Sequence, residues 1–244
     1  MKKQKKSEIK TVGDNITAEE SSWTFGGDVP EKFSSHIRRS VPFYDTGHDL
    51  VCKISDFFIK DSSLCYELGV STGNLFNKLI DRHRHRPHVQ WVGIDKEANM
   101  ISKAKKMTRS INAELIVDDI CSYAYQKSDF VVSYYTIQFV PPHLRQEMFN
   151  KIYNCLNHGG AFIVFEKVRA YDARFQDILQ SLYTDYKLEQ DYTPDEVIAK
   201  ARSLKGILEP FSTQGNLELF RKAGFVNVIS VFKYICFEGF LAVK

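Results

Sequence analysis

The residues best placed for chemistry lie between Glu67 and Ile120. Glu67-Leu68-Gly69-Val70-Ser71-Thr72-Gly73 is an apolar run ending in a glycine-containing loop. Glycine lets backbone approach a ligand closely and take positive φ, and a helix starting after the loop offers unpaired N–H donors. Asp95 directly follows the apolar Val89 to Ile94, near the ~20-residue offset of a ribose-binding acid, and its carboxylate can accept from both ribose hydroxyls. Asp119-Ile120 follows a third apolar run, Ala113 to Val117. There Asp119 is read as accepting from the amine of an adenine and Ile120 as packing on its ring. Taken singly, these are a turn, a helix cap and a surface acid. Their shared order, each at the end of a successive apolar run, points to a nucleoside site.

Two other chemistries use similar loops. A dinucleotide fold wants G-x-G-x-x-G, but Ser71 and Asn74 stand at the second and third glycine positions, which removes the close approach to a pyrophosphate. G-x-S-x-G also matches a hydrolase nucleophile elbow with Ser71 as nucleophile. That enzyme needs an acid and then a histidine later in the chain, and no histidine follows His158.

The elements that must carry these loops read as alternating strand and helix. Strands are expected at 64–68, 89–94, 113–117, 130–135 and 161–168, with helices at 73–84, 97–107 and 142–156. His158-Gly159-Gly160 is expected to stop the last of these helices. Such alternation with apolar strands implies a parallel sheet covered on both faces. Residues 171–213 break the rhythm as a tyrosine-rich helical insertion over the mouth of the sheet. A helix at 216–223 and two tightly joined strands, 226–234 and 236–243, end the chain as an antiparallel hairpin. Residues 1–22 are polar and aperiodic and are expected to be a disordered tail. Residues 23–60 form an N-terminal cap with a helix from His48, so 23–244 is one domain.

A hydrophobic share of 43% with 26% charged residues is that of an ordinary globular chain. The net charge of +3 gives no strong pull toward nucleic acid or membrane. No apolar stretch approaches a membrane span and no apolar run follows the basic start, so a cytoplasmic protein is expected. The five cysteines form no C-x-x-C pair, which argues against a metal site or a disulfide framework. The cluster Arg82 to Arg86 reads as a solvated helix end.

With these motifs in place, the chain resembles the class I S-adenosylmethionine-dependent methyltransferases. Glu67-x-Gly69-x-Ser71-x-Gly73 resembles their first motif, Asp95 their ribose acid and Asp119-Ile120 their adenine contact. Asn157-His158-Gly159-Gly160 is similar to their late L-x-P-G-G motif. The resemblance implies a Rossmann-like seven-stranded α/β sheet, mostly parallel, with an antiparallel terminal hairpin. S-adenosyl-L-methionine is the implied cofactor, and Lys96 and Met100 complete the expected cofactor-binding set.

From Trp23 to Lys244 the chain is more specifically similar to the carboxy-S-adenosylmethionine synthase family. The matching stretches are Arg39-Ser40-Val41-Pro42-x-Tyr44, Gln138-Phe139, Lys151-Ile152-Tyr153, Gly159-Gly160-Ala161, Glu166-Lys167 and Lys222-Ala223-Gly224-Phe225. That family makes carboxy-S-adenosylmethionine from S-adenosylmethionine and prephenate for tRNA wobble-uridine modification. The resemblance implies that Tyr44 contacts the methionine end of the cofactor and that the protein is a homodimer. Two departures stand out. The family's carboxylate-binding arginine aligns with Ala201, with Arg202 one residue later, and one helical position turns a side chain by ~100°. The family's asparagine at the end of the fourth strand is Tyr134 here.

An arginine fork suits a carboxylate, so its loss favours ordinary methyl transfer to a small-molecule acceptor. The carboxy-cofactor synthase is then the alternative. Methyl transfer asks the protein to orient the acceptor and exclude water, with a base only where the acceptor loses a proton. Tyr134, Tyr135 and His143 are the catalytic candidates, and one of the two tyrosines is expected to face the ligand. Glu166-Lys167 reads as a solvated pair at a strand end.

Overall fold

The computed structural model describes residues 10–26 and 29–244. Residues 10–22 are not a loose tail. A small ribbon pairs β1 (Lys10–Thr11) with β2 (Thr17–Ala18), and Val12 and Ile16 are buried against a cluster that includes Trp23, Phe33, Met100 and Ala199. Two apolar side chains in a polar stretch are too few to show periodicity, yet they suffice to dock it. Residues 1–9 of the expected tail lie outside the described part.

The cap holds two helices, α1 (Val29–Ser40) and α2 (Tyr44–Ser55), so the second starts four residues before the expected His48. The alternating core follows as β3 (Leu64–Leu68), α3 (Asn74–Arg82), β4 (Gln90–Asp95), α4 (Ala98–Met107), β5 (Ala113–Val117), β6 (Ser128–Tyr134), α5 (Pro142–Cys155) and β7 (Leu156–Lys167). The insertion is α6 (Ala173–Glu189) and α7 (Pro194–Ser203). After α8 (Thr213–Ala223) come β8 (Asn227–Tyr234) and β9 (Phe237–Val243). The seven strands lie in the order β5-β4-β3-β6-β7-β9-β8, with β9 antiparallel to both its neighbours. Apolar clusters fill both faces of the sheet, as a parallel arrangement requires. One expectation fails in detail. Gly159 and Gly160 do not stop α5, which ends at Cys155 because Leu156 turns extended (φ −65°, ψ 139°) and enters β7 directly.

The chain runs outward from β3 to β5, then returns beside β3 as β6. Strand order therefore reverses between β3 and β6, and the crevice beyond their carboxyl ends is where such sheets bind ligands. The insertion is roofed over this crevice by caps written locally in the sequence. Asp172 accepts from the Phe175 amide (3.0 Å) to start α6, and Thr193 and Glu196 form a reciprocal capping box on α7.

The cap then ties the roof down. Arg39 donates twice to the Gln190 carbonyl (2.9 and 2.7 Å) and once to Asp14 (3.0 Å). Tyr183 donates to the Ser40 carbonyl, and the amides of Ser21 and Trp23 donate to the carbonyls of Arg202 and Ser203. Replacing Arg39 with Ala strips two donors from Gln190 and leaves Asp14 with His36 and the Ser35 hydroxyl as its side-chain partners. The expected loss is ~1–3 kcal/mol. Hydrogen exchange should rise in residues 10–26 and at the α6–α7 turn while β3 and β6 stay protected. Unchanged exchange there would show that Arg39 is not the tie.

Candidate active site

Five loops meet at the carboxyl ends of β3 to β7 around a cavity of about 930 Å³. The loop after β3 starts with the amides of Gly69 and Val70 donating to the Ile94 carbonyl. Gly69 (φ 74°) must be glycine, since a Cβ there would collide with Thr136. Asp95 bridges two loops: its carboxylate accepts from the Ser71 amide at 2.8 Å and from the Glu97 amide at 2.9 Å. Each oxygen keeps lone-pair capacity for a ribose hydroxyl. Burial holds its pKa above the ordinary value, against the two amide bonds that lower it. Met100 is buried and receives the Ser71 hydroxyl at 3.5 Å. Lys96 lines the same wall.

After β5, one Asp119 oxygen accepts from the Cys121 amide (2.8 Å), while Ile120 is buried and lines the cavity. Glu67 ends the nucleoside half. It is 4% exposed, and its Oε2 has no hydrogen-bond partner among the described residues. Burial, then the neighbouring Asp95, pushes its pKa well up. An orphaned buried carboxyl is a ready acceptor for the ammonium of an amino acid, and Tyr44 lines the cavity beside it.

The structure thus brings together Tyr44, Glu67, Gly69, Ser71, Asp95, Lys96, Met100, Asp119, Ile120, Tyr134 and Tyr135. Two sequence candidates fall outside the cavity wall. Gly73 caps α3 (φ 81°) beneath the loop, with Ala104 as its nearest packing neighbour. His143 is exposed on the first turn of α5 and does not line this cavity.

The two tyrosines have different jobs. Tyr134 donates to the Tyr44 carbonyl at 2.7 Å, reaching over Gly47, where any Cβ would strike its hydroxyl. It therefore fixes Tyr44. Tyr135 takes a left-handed turn (φ 58°) with its amide on the Phe165 carbonyl, and no hydroxyl hydrogen bond holds it among the described residues. Burial, then Glu166, holds its pKa well above the ordinary value, so it meets a ligand as a neutral donor rather than as a base. Glu166 and Lys167 are not a solvated pair. Glu166 is buried, with its pKa pushed up to about 8 by burial against the pull of Arg145. Lys167 turns to the cavity, and its amide donates to Gln138 Oε1 (2.9 Å). The Arg82 to Arg86 end is only partly solvated, since His83 is buried against the Ser55 hydroxyl at 2.7 Å.

Sequence reasoning placed the tyrosine-rich insertion over the mouth but missed the other side chains of the upper wall. Trp23, His36, Tyr183, Lys187 and Lys200 all line the cavity. His36 binds Asp14 through Nδ1 at 2.9 Å, which assigns the proton to Nδ1 and leaves Nε2 as a buried acceptor with no hydrogen-bond partner among the described residues. Burial, then Lys200, pushes its pKa down to about 4. Lys187 and Lys200 are 7% and 8% exposed. Burial, then Lys167, lowers Lys187 to about 7, and burial, then Lys187, holds Lys200 well below its ordinary value. Lys167 and Lys187 lie over the Tyr183 ring at 4.2 and 4.8 Å, and Lys200 lies over Trp23. Such contacts return ~0.5–2 kcal/mol each, less than the several kcal/mol of burying an ammonium. Ala201 also lines the cavity, whereas Arg202 is exposed outside it.

Residues 66–160 match the family described as a methyltransferase domain. The chain is 33% identical over 223 residues to the carboxy-S-adenosyl-L-methionine synthase of Staphylococcus epidermidis, covering 91% of this chain and 97% of that one. The synthase of Campylobacter lari is 32% identical over 227 residues, covering 92% and 96%. Among solved structures, human N-acetylserotonin methyltransferase in complex with S-adenosylmethionine superposes with a TM-score of 0.55 at 17% identity, covering 88% of this chain and 53% of that one. A putative O-methyltransferase of Nostoc punctiforme gives 0.60 at 15% identity, covering 89% and 61%. These two likenesses are of fold. Sheet order, the Gly69 loop and the methyltransferase-domain match together define an S-adenosyl-L-methionine-dependent enzyme of the class I methyltransferase fold. Within that class, the chain belongs to the carboxy-S-adenosyl-L-methionine synthase family.

Replacing Asp95 with Asn should weaken S-adenosylhomocysteine binding by roughly 10- to 100-fold in calorimetric titration, the loss of one charge-assisted pair. His143→Ala should leave it unchanged. Lys187 gives a pH signature. The unfolded chain holds that proton up to the ordinary 10.5, whereas the folded chain releases it near 7. Charged Lys187 therefore destabilises the fold increasingly as pH falls through that window. The stability advantage of Lys187→Met over the parent should grow from pH 10 to 7 and level off below, at about 1.4 kcal/mol per tenfold shift in acidity. Denaturant melts of both proteins across that range would read it, and a pH-independent difference would refute it.

Proposed function

We propose that this protein is a carboxy-S-adenosyl-L-methionine synthase that takes the carboxyl group from prephenate. The observation carrying this reading is similarity along 91% of the chain to a relative of that name, 97% of whose length is covered. The reaction balances as S-adenosylmethionine plus prephenate giving carboxy-S-adenosylmethionine, phenylpyruvate and water. A methyl C–H bond and the donor's bond to its carboxyl carbon break, and a new C–C bond joins the two carbons. The hydroxyl lost from the donor ring leaves with the methyl proton as water.

The cofactor supplies a methyl group whose C–H bonds are acidified by a positive sulfur. The chain's own residues would do the rest. Asp95, Asp119 and Ile120 would orient the nucleoside, and Glu67 and Tyr44 the amino-acid end. Tyr135 offers a neutral hydroxyl donor to the co-substrate. The roof formed by α6 and α7 excludes water, which protects a reactive carbon nucleophile from protonation.

A second reading, methyl transfer to a small-molecule acceptor, is favoured by Ala201 standing where the family's arginine is expected. The two readings separate in one experiment. The purified protein is incubated with S-adenosylmethionine and prephenate, and the cofactor is weighed by mass spectrometry. A gain equal to one carbon dioxide, dependent on prephenate, is the expected result. Unchanged cofactor, with S-adenosylhomocysteine appearing only when a methyl acceptor is added, would favour methyl transfer instead.

A further inference from the structure

Lys167, Lys187 and Lys200 come from three separate elements, the end of β7, α6 and α7, and line one cavity. Among the described residues none of the three makes a salt bridge, and no hydrogen bond holds any of their ammonium groups. Asp14, the acid whose charge acts on Lys200, is already engaged by His36 and Arg39. Arg169 adds a further positive charge beside Lys167 at the same wall. Buried charges normally have partners. If these lysines were mere spacers, methionines would fill the space without desolvation or mutual repulsion.

Their position relative to the nucleoside half is fixed by rings. Tyr44 faces Tyr135 (6.5 Å between centroids), Tyr135 packs on Phe237 (5.7 Å), and Phe237 packs on Tyr183 (5.2 Å), the ring beneath Lys167 and Lys187. Gln138 joins the two ends directly, donating to the Tyr135 carbonyl at 3.1 Å and accepting from the Lys167 amide. An unsaturated ring lying along this aromatic wall would bring its acidic groups to the lysines.

We infer that Lys167, Lys187 and Lys200 form an anion subsite that holds the carboxylates of a small dicarboxylic co-substrate beside the methyl end of the cofactor. The inference rests on the synthase reading for the identity of that co-substrate, prephenate. It also accounts for Ala201. With the arginine position vacated, the preceding residue on α7, Lys200, turns inward and brings its amine into the same cavity, where a bound carboxylate would favour the protonated form. Arg202 remains outside.

The test is calorimetric titration of prephenate, and of malate as a simpler dicarboxylate, into protein loaded with S-adenosylhomocysteine so that no turnover occurs. Lys167→Met, Lys187→Met and Lys200→Met should each weaken prephenate binding by about tenfold or more. S-adenosylhomocysteine affinity should stay within about twofold of the parent. In turnover the loss should fall on KM for prephenate more than on kcat. Melting temperature serves as the folding control, and Lys→Gln replaces any Met variant that fails it. Variants that bind prephenate as tightly as the parent, or a parent that binds neither dicarboxylate, would overturn the subsite. If the variants lose dicarboxylate binding but the parent makes no carboxylated cofactor, the subsite stands and the synthase reading falls.

Discussion

The Asp95 carboxylate ties the loop after β3 to the loop after β4, beside the Gly69 and Val70 amides on the Ile94 carbonyl. One oxygen holds the Ser71 amide and the other the Glu97 amide, so a single half-buried group helps set the turns after both β3 and β4. A buried carboxylate is tolerated only when hydrogen-bonded, and these amides satisfy it without exhausting it. The lone pairs that remain face the crevice where strand order reverses. Gly69 packed against Thr136 then extends the same rigidity to the end of β6. Half of the site is thus preorganised by backbone geometry, which accommodates many side-chain changes elsewhere.

The other half follows an opposite logic. The roof is stabilised by polar ties at its rim, Arg39 to Gln190 and Tyr183 to Ser40, while its inner face carries two buried lysines with no salt bridge among the described residues. Such a face gains stability when an anion arrives, so binding and ordering of the roof are linked. Placing the costly charges on the inserted helices leaves the sheet's apolar layers undisturbed. It also explains how Tyr134 can occupy the strand end. Bound to the Tyr44 carbonyl over Gly47, it supports the cap rather than reaching for the cofactor.

Much of the fold was legible because its signals are local. The runs at 64–68 and 113–117 are bounded as the periodicity says. Errors fell where a distant contact decides the outcome. Residues 10–22 look like a tail until Val12 and Ile16 find Met100 and Ala199. Gly159-Gly160 looks like a helix stop, yet Gly159 lies within β7 at φ 78° and donates its amide to the Lys244 carbonyl.

By itself the sequence determined the alternating sheet, the Gly69 loop, Asp95 and Asp119-Ile120 as a nucleoside constellation, and a family. All of these are set by spacing within single βα units, so they are written in order along the chain. Only the tertiary structure decided that His143 lies outside, that Tyr135 rather than Tyr134 offers a free hydroxyl, and that Lys167, Lys187 and Lys200 share a wall. The two roof lysines are separated by 13 positions and belong to different helices, and Lys167 lies in a strand. Such a charge looks like any solvated surface charge until packing removes the water around it.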